Sequence, residues 1–213
     1  MPVRKIPKNH LVVTGGFASA KADRMIGFES LLEKEYMLLL DFDETVAGYE
    51  EQPIRVPVPG VPRGYVVDLL VRFRHPDMRP QLVEVKPQEF LDRYVNEYAP
   101  KFAAAEAFCA EREWTFIKKT EVDIRTPRLA NLKFLRAYRN VFPTSDQKQA
   151  VLSAMEDLNG QSSSEGLLAA LGQTAREAWL PVIWHMLLCG GLSTCMDAVL
   201  PVDVPLSLPG RVS

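Results

Sequence analysis

VEVKPQ, residues 83–88, sets an acid and a lysine two positions apart among apolar neighbours. Residues two apart on a strand point the same way. Glu84 and Lys86 therefore share one face, and Val83 and Val85 share the other. QLVEVKP (81–87) reads as a strand stopped by Pro87. In the run before it, YVVDLLV (65–71), Asp68 is the single charge among apolar residues. A lone carboxylate there is costly unless it meets a cation or lies at a sheet edge. A hairpin between the two runs brings Asp68 and Glu84 side by side. Adjacent carboxylates repel, and a divalent metal removes the repulsion. Lys86 beside them can hold a water or neutralise charge developing on a phosphate.

An acid-x-Lys triplet alone carries little information among 27 acidic residues. Two occur, Glu84-Val85-Lys86 and Asp146-Gln147-Lys148. Only the first has an apolar strand and an upstream Asp. That context matches an Asp…Glu-x-Lys nuclease site, where Mg²⁺ lowers the pKa of a bound water and stabilises attack on phosphorus. A third carboxylate is expected from a nearby helix, with Glu29, Glu33 and Glu35 as candidates. Glu33 follows Leu31-Leu32 at the border of an apolar stripe. Clustered acids built for a metal are strained without one, so Asp68→Ala or Glu84→Ala is expected to leave the metal-free melting temperature unchanged or raised.

Around this motif the pattern alternates helix and strand. GFESLLEKEYMLLLDFD (27–43) has helical apolar spacing. Strands are expected near 54–58 and 65–73, joined by a turn at VPGVPRG. A helix follows from about Gln88 to Glu113, interrupted near Pro100, then a strand at WTFIKKTE (114–121) and a helix after Pro127. The order implies an α/β fold, a mixed sheet flanked by helices. Beyond it, Ser145 is expected to cap a helix, two further helices lie at 165–171 and 174–189 with a kink at Pro181, and LSTCMDAVLPVDVPLSL is expected to form a small hairpin. Three helices and a hairpin describe a winged-helix-like module. The expected domains are 1–140, with residues 1–24 an irregular basic arm, and 141–213.

Composition narrows the classes. Hydrophobic residues make up 47% and charged residues 24%, the proportions of a globular chain. No apolar run approaches the roughly 18 residues needed to cross a bilayer. The N-terminus has no secretory h-region. Cys109, Cys189 and Cys195 have no metal-site spacing, and His10, His75 and His185 fit no zinc motif. Reduced thiols suit a cytoplasmic protein. Net charge is −2, but residues 1–24 and 118–139 are basic and 140–213 acidic. Basic segments can follow a phosphate backbone, whereas the acidic C-terminal part suits docking to protein more than to duplex.

FESLLEKEYMLLLDFD, YEEQP, YVVDLLV and VEVKP, in this order, resemble the TnsA family of endonuclease subunits of heteromeric transposases. EREWTFIKKTEVDIRTPRLANLKFLRAYR is similar to the segment closing that family's nuclease domain. The resemblance spans about residues 25–140. It implies a restriction-endonuclease-like fold that uses Mg²⁺, with Mn²⁺ as a substitute. It further implies cleavage of the 5′ strand at double-stranded transposon ends beside an integrase-like transposase, TnsB, and an ATPase regulator, TnsC. The setting it implies is a bacterial cytoplasm, on the nucleoid when active. Asp68, Glu84 and Glu33 would bind metal, and Lys86 would serve the attacking water. Gln52 in EEQP holds a signature position to which no chemistry is assigned beyond steadying a turn. Two departures stand out: Val67 where a Pro often precedes the Asp, and Glu84 where some relatives carry Gln. A stand-alone restriction or junction-resolving nuclease, or a non-catalytic transposition adaptor, remains an alternative.

Overall fold

The computed structural model describes residues 14–22, 24–172 and 176–210. The chain forms two compact units, Met1–Arg125 and Thr126–Ser213.

The first unit begins with an antiparallel pair, β1 (Gly15–Ala18) and β2 (Met25–Phe28). The described part of the expected irregular arm is therefore hairpin, and Gly27–Phe28 belong to β2 rather than to the helix that follows. Arg4, Lys5, Lys8 and His10 lie outside the described residues. Helix α1 (Leu31–Asp41) buries Leu32, Tyr36, Met37, Leu38 and Leu40. Lys21 donates through Nζ to the carbonyl of Leu40 at 2.8 Å, satisfying an orphan acceptor at the helix C-terminus.

The central sheet has four strands: β3 (Val46–Glu51), β6 (Leu69–Phe73), β7 (Gln81–Val85) and β8 (Thr115–Lys119), in the order β3-β6-β7-β8. The first two pairings are antiparallel and β7–β8 is parallel, so the sheet is mixed as expected. Between β3 and β6 a separate hairpin rises, β4 (Arg55–Val58) and β5 (Val61–Val66). Its turn needs only Pro59 and Gly60, the latter at φ 76°. The strand expected over 65–73 is thus two strands, broken at Val67–Asp68.

α2 (Gln88–Arg93) and α3 (Val95–Ala110) divide at Tyr94, not at Pro100, which lies inside α3. Early in a helix, the N–H that proline lacks costs a single intrahelical bond. Ala105 and Cys109 of α3 pack with Val56, Val58, Tyr65, Val67, Leu70 and Leu82 in one core. A short α4 (Glu121–Ile124), boxed by Thr120 and Asp123, closes the unit.

The second unit starts with α5 (Pro127–Leu135), with Pro127 in its first turn. α6 (Ser145–Asp157), α7 (Ser164–Ala170) and α8 (Arg176–Leu188) follow. Thr144, rather than Ser145, caps α6, in a capping box with Gln147. Leu135, Val151, Met155, Leu167 and Ile183 form the heart of a second core. Leu135 explains why the units part at Arg125 and not at residue 140: α5 buries its apolar side here. The expected hairpin within 192–208 is replaced by a ribbon distant in sequence. β10 (Pro205–Ser207) pairs antiparallel with β9 (Gln161–Ser163), and Ser193 meets Ser207 in one isolated bridge. Asn131 explains the intervening loop. Its Nδ2 donates to the carbonyls of Met196 and Ala198 at 2.9 and 2.7 Å, and its Oδ1 accepts from the Leu200 N–H at 3.2 Å. No helix among the described residues is long and apolar enough to cross a membrane.

Candidate active site

The strand break at Asp68 is where the site is built. The ladder between β6 and β7 ends at Leu69 and Val83. One step further, the Val85 N–H donates to the Asp68 carboxylate, Oδ2, at 2.8 Å. A side chain thus replaces a backbone acceptor and fixes the carboxylate in place. On the other flank the Gln52 N–H donates to the Asp68 carbonyl at 2.7 Å. Gln52 is buried and left-handed, at φ 43°, a conformation uncommon outside glycine. Its place in EEQP therefore has a structural content that the sequence did not disclose: it locks the Asp68 peptide.

Lys86 lies one residue past β7, and its N–H donates to the Lys119 carbonyl at 3.1 Å, extending the parallel ladder. Its ammonium lies 3.0 Å from Asp68 Oδ2 and 3.0 Å from Glu84 Oε1, and donates also to the Val85 carbonyl at 3.3 Å. The two carboxylates thus share one cation, supplied by the chain. Glu84 is only 2% exposed. Burial, and then the charge of Asp68, push its carboxyl up to about 8, against the pull of Lys86. Burial works against the Lys86 charge too, but Asp68 and Glu84 outweigh it and hold the ammonium firmly protonated.

Glu33 enters from α1. Its carboxylate accepts from the Glu29 N–H at 2.8 Å and from the Ser30 hydroxyl at 3.0 Å, while its own N–H donates to Ser30 Oγ at 3.1 Å. Ser30 caps α1, and Glu33 reaches back past it to the Glu29 N–H, which explains SLLE locally. Burial, then the charge of Asp68, raise the Glu33 carboxyl to about 7, with Lys86 opposing. Glu33 is therefore within electrostatic reach of the pair. Of the other candidates, Glu35 pairs with Arg125 Nε at 2.8 Å, and Glu29 contributes its backbone to the cap.

Among the described residues three buried side-chain oxygens lack a hydrogen-bond partner: Gln52 Oε1, Tyr65 Oη and Glu84 Oε2. Tyr65 is close enough to Glu84 for its phenol to be pushed up, first by burial and then by that charge. The phenol lies near enough to Glu84 to favour its charged form, yet neither Tyr65 Oη nor Glu84 Oε2 has a partner in full hydrogen-bonding geometry. Sequence reading took Tyr65 only as a strand residue; its position three before Asp68 was the sole available signal.

No group of three His, Cys, Asp or Glu side chains among the described residues is arranged as a ready metal centre. The donor chemistry nevertheless fits a hard divalent cation. Asp68 and Glu84 already bracket a point of positive charge, and Glu84 keeps a buried oxygen unpartnered. Glu33 can join only by sharing oxygens that serve its cap. Of the basic residues in 118–139, Arg125 and Arg128 are paired with Glu35 and Asp197.

Residues 43–121 match the family model of the TnsA-like endonuclease N-terminal domain. The match includes Gln52, Asp68, Glu84 and Lys86; Glu33 precedes it. No curated protein matches the chain.

Proposed function

We propose that this chain, with its TnsA-like endonuclease domain, is the DNA-cutting subunit of a heteromeric transposase, nicking the 5′ strand at transposon ends in cut-and-paste transposition. The observation that carries this reading is the shared cation: Asp68 and Glu84, from separate strands, both lie 3.0 Å from Lys86 Nζ. Asp68, Glu84 and, more remotely, Glu33 would hold Mg²⁺, or Mn²⁺ in its place. Bound there, the ion would supply a Lewis acid and a water of lowered pKa. Asp68 is aimed by the Val85 N–H and by Gln52 behind it. Glu84 excludes water by its burial. Lys86 keeps a donor beside the carboxylates, where it can hold a water or neutralise charge on a phosphate oxygen.

Double-stranded transposon ends are the substrate in this reading. TnsB, the integrase-like transposase, and TnsC, the ATPase regulator, are the protein partners. The second unit, four helices with a two-stranded ribbon among the described residues, serves as a winged-helix-like docking module. Its part from residue 140 onward carries three cations against seven acids, too few to hold duplex at physiological salt.

The test is cleavage of a plasmid bearing transposon ends by the chain with its transposase and ATPase partners and Mg²⁺. Asp68→Ala, Glu84→Ala and Lys86→Ala should each lower 5′-strand nicking by at least a hundredfold while 3′ cutting persists. Undiminished nicking by Asp68→Ala would make the chain a non-catalytic adaptor. Robust cutting of unrelated DNA by the isolated chain would make it a stand-alone nuclease.

A further inference from the structure

The two unpartnered oxygens on Tyr65 and Glu84 are the strongest observation the proposed site leaves unexplained. Buried polar groups are nearly always paired, and an exception calls for a reason. Here two exceptions fall on neighbouring side chains, one a donor and one an acceptor. Glu84 engages Lys86 through Oε1 and leaves Oε2 without a partner. Tyr65 cannot swing away to seek another acceptor. Its ring packs edge-on against Tyr98, with centroids 6.5 Å apart and planes at 90°, and tilted against Phe102 at 6.3 Å. β5 fixes its backbone through the Val56–Tyr65 pairing.

We infer that Tyr65 is a positioning residue for the proposed metal site, holding the Glu84 carboxylate by a hydrogen bond from its hydroxyl to Oε2 when Oε1 turns from Lys86 to a divalent cation. The inference rests on the nuclease reading above. In the state described here Glu84 shares the Lys86 ammonium, and its second oxygen needs no further restraint. Once Oε1 serves a metal ion the carboxylate carries full charge in a buried setting, and a neutral donor beside Oε2 fixes its plane. Partners behind metal ligands commonly set affinity in this way. Phenylalanine keeps the ring packing and removes only the donor, so the substitution separates the two roles of the side chain.

The experiment measures Mn²⁺ binding by isothermal titration calorimetry on the full chain and on Tyr65→Phe, with Asp68→Ala as the site control and melting temperatures alongside. Tyr65→Phe should bind Mn²⁺ about tenfold more weakly, with a metal-free melting temperature unchanged or raised, because a buried unpaired hydroxyl has been removed. An unchanged affinity, with the full chain binding and Asp68→Ala not, overturns this inference alone. So does a fall of many degrees in melting temperature, which would make the hydroxyl a part of the fold. Failure of the full chain to bind Mn²⁺, or undiminished binding by Asp68→Ala, overturns the metal reading and this inference with it.

Discussion

Asp68 and Glu84 look alike in the sequence, two acids in apolar strands, yet the protein treats them differently. Asp68 accepts a backbone N–H as well as the Lys86 ammonium, so its removal orphans a donor in the sheet. Glu84 is the more deeply buried, and burial, then the charge of Asp68, push its carboxyl up to about 8. The expectation that both acids are strained without metal therefore divides. Asp68→Ala should lower the metal-free stability by about 1–3 kcal/mol, whereas Glu84→Gln should leave it unchanged or raise it. The pH dependence follows from the same burial. Glu33 and Glu84 have carboxyls raised to about 7 and about 8 when folded, against about 4.3 in an open chain. The folded protein binds protons that the unfolded chain releases, so this contribution is complete below about pH 4.3 and is lost as pH rises through 7 and 8. Calorimetry of the metal-free protein should show the melting temperature falling between pH 5 and 8, and Glu84→Gln should flatten the upper part of that fall. Glu84, Lys86 and Asp68 were legible because a strand repeats every two residues and a lone charge in an apolar run needs a partner. Gln52 and Tyr65 were not, since one acts through its N–H and the other through what its ring packs on.

Element boundaries followed tertiary contacts more than local pattern. YVVDLLV reads as one strand because its apolar residues are continuous; the Asp68 side chain splits it by taking a ladder position. β3 escaped notice because Glu51 is buried, and it can be so only because Arg24, distant in sequence, meets it with both guanidinium nitrogens. Helix α1 was legible in its apolar spacing, and its start is set by Ser30. That cap joins helix stability to the candidate site, since Ser30 Oγ and the Glu29 N–H are what orient the Glu33 carboxylate. Ser30→Ala should cost about 1 kcal/mol of stability, seen as a fall of a few degrees in melting temperature. It should also weaken nicking, whereas Ser30→Thr, which retains a hydroxyl cap, should restore most of both.

Across the whole molecule, the division after Arg125 carries its own expectation. Leu129, Leu132 and Leu135 of α5 are buried, and Asn131 holds the 196–200 loop by three hydrogen bonds. A fragment of residues 126–213 should therefore unfold cooperatively in circular dichroism. A fragment of 141–213 should not, having lost a helix from its core. The sequence placed the change of domain at residue 140, where the resemblance to the family's nuclease segment ends and a new run of helices begins. Cores are joined by what is buried, and the basic residues of α5 ride on a helix whose apolar side belongs to the second unit.

The Lys86 ammonium between Asp68 and Glu84 has one more consequence. The repulsion of the two acids is answered from within the polypeptide, so a newly made chain can finish folding in magnesium-poor solution. Under the proposed metal chemistry, assembly and arming become separate events: the blade is forged with its sheath in place.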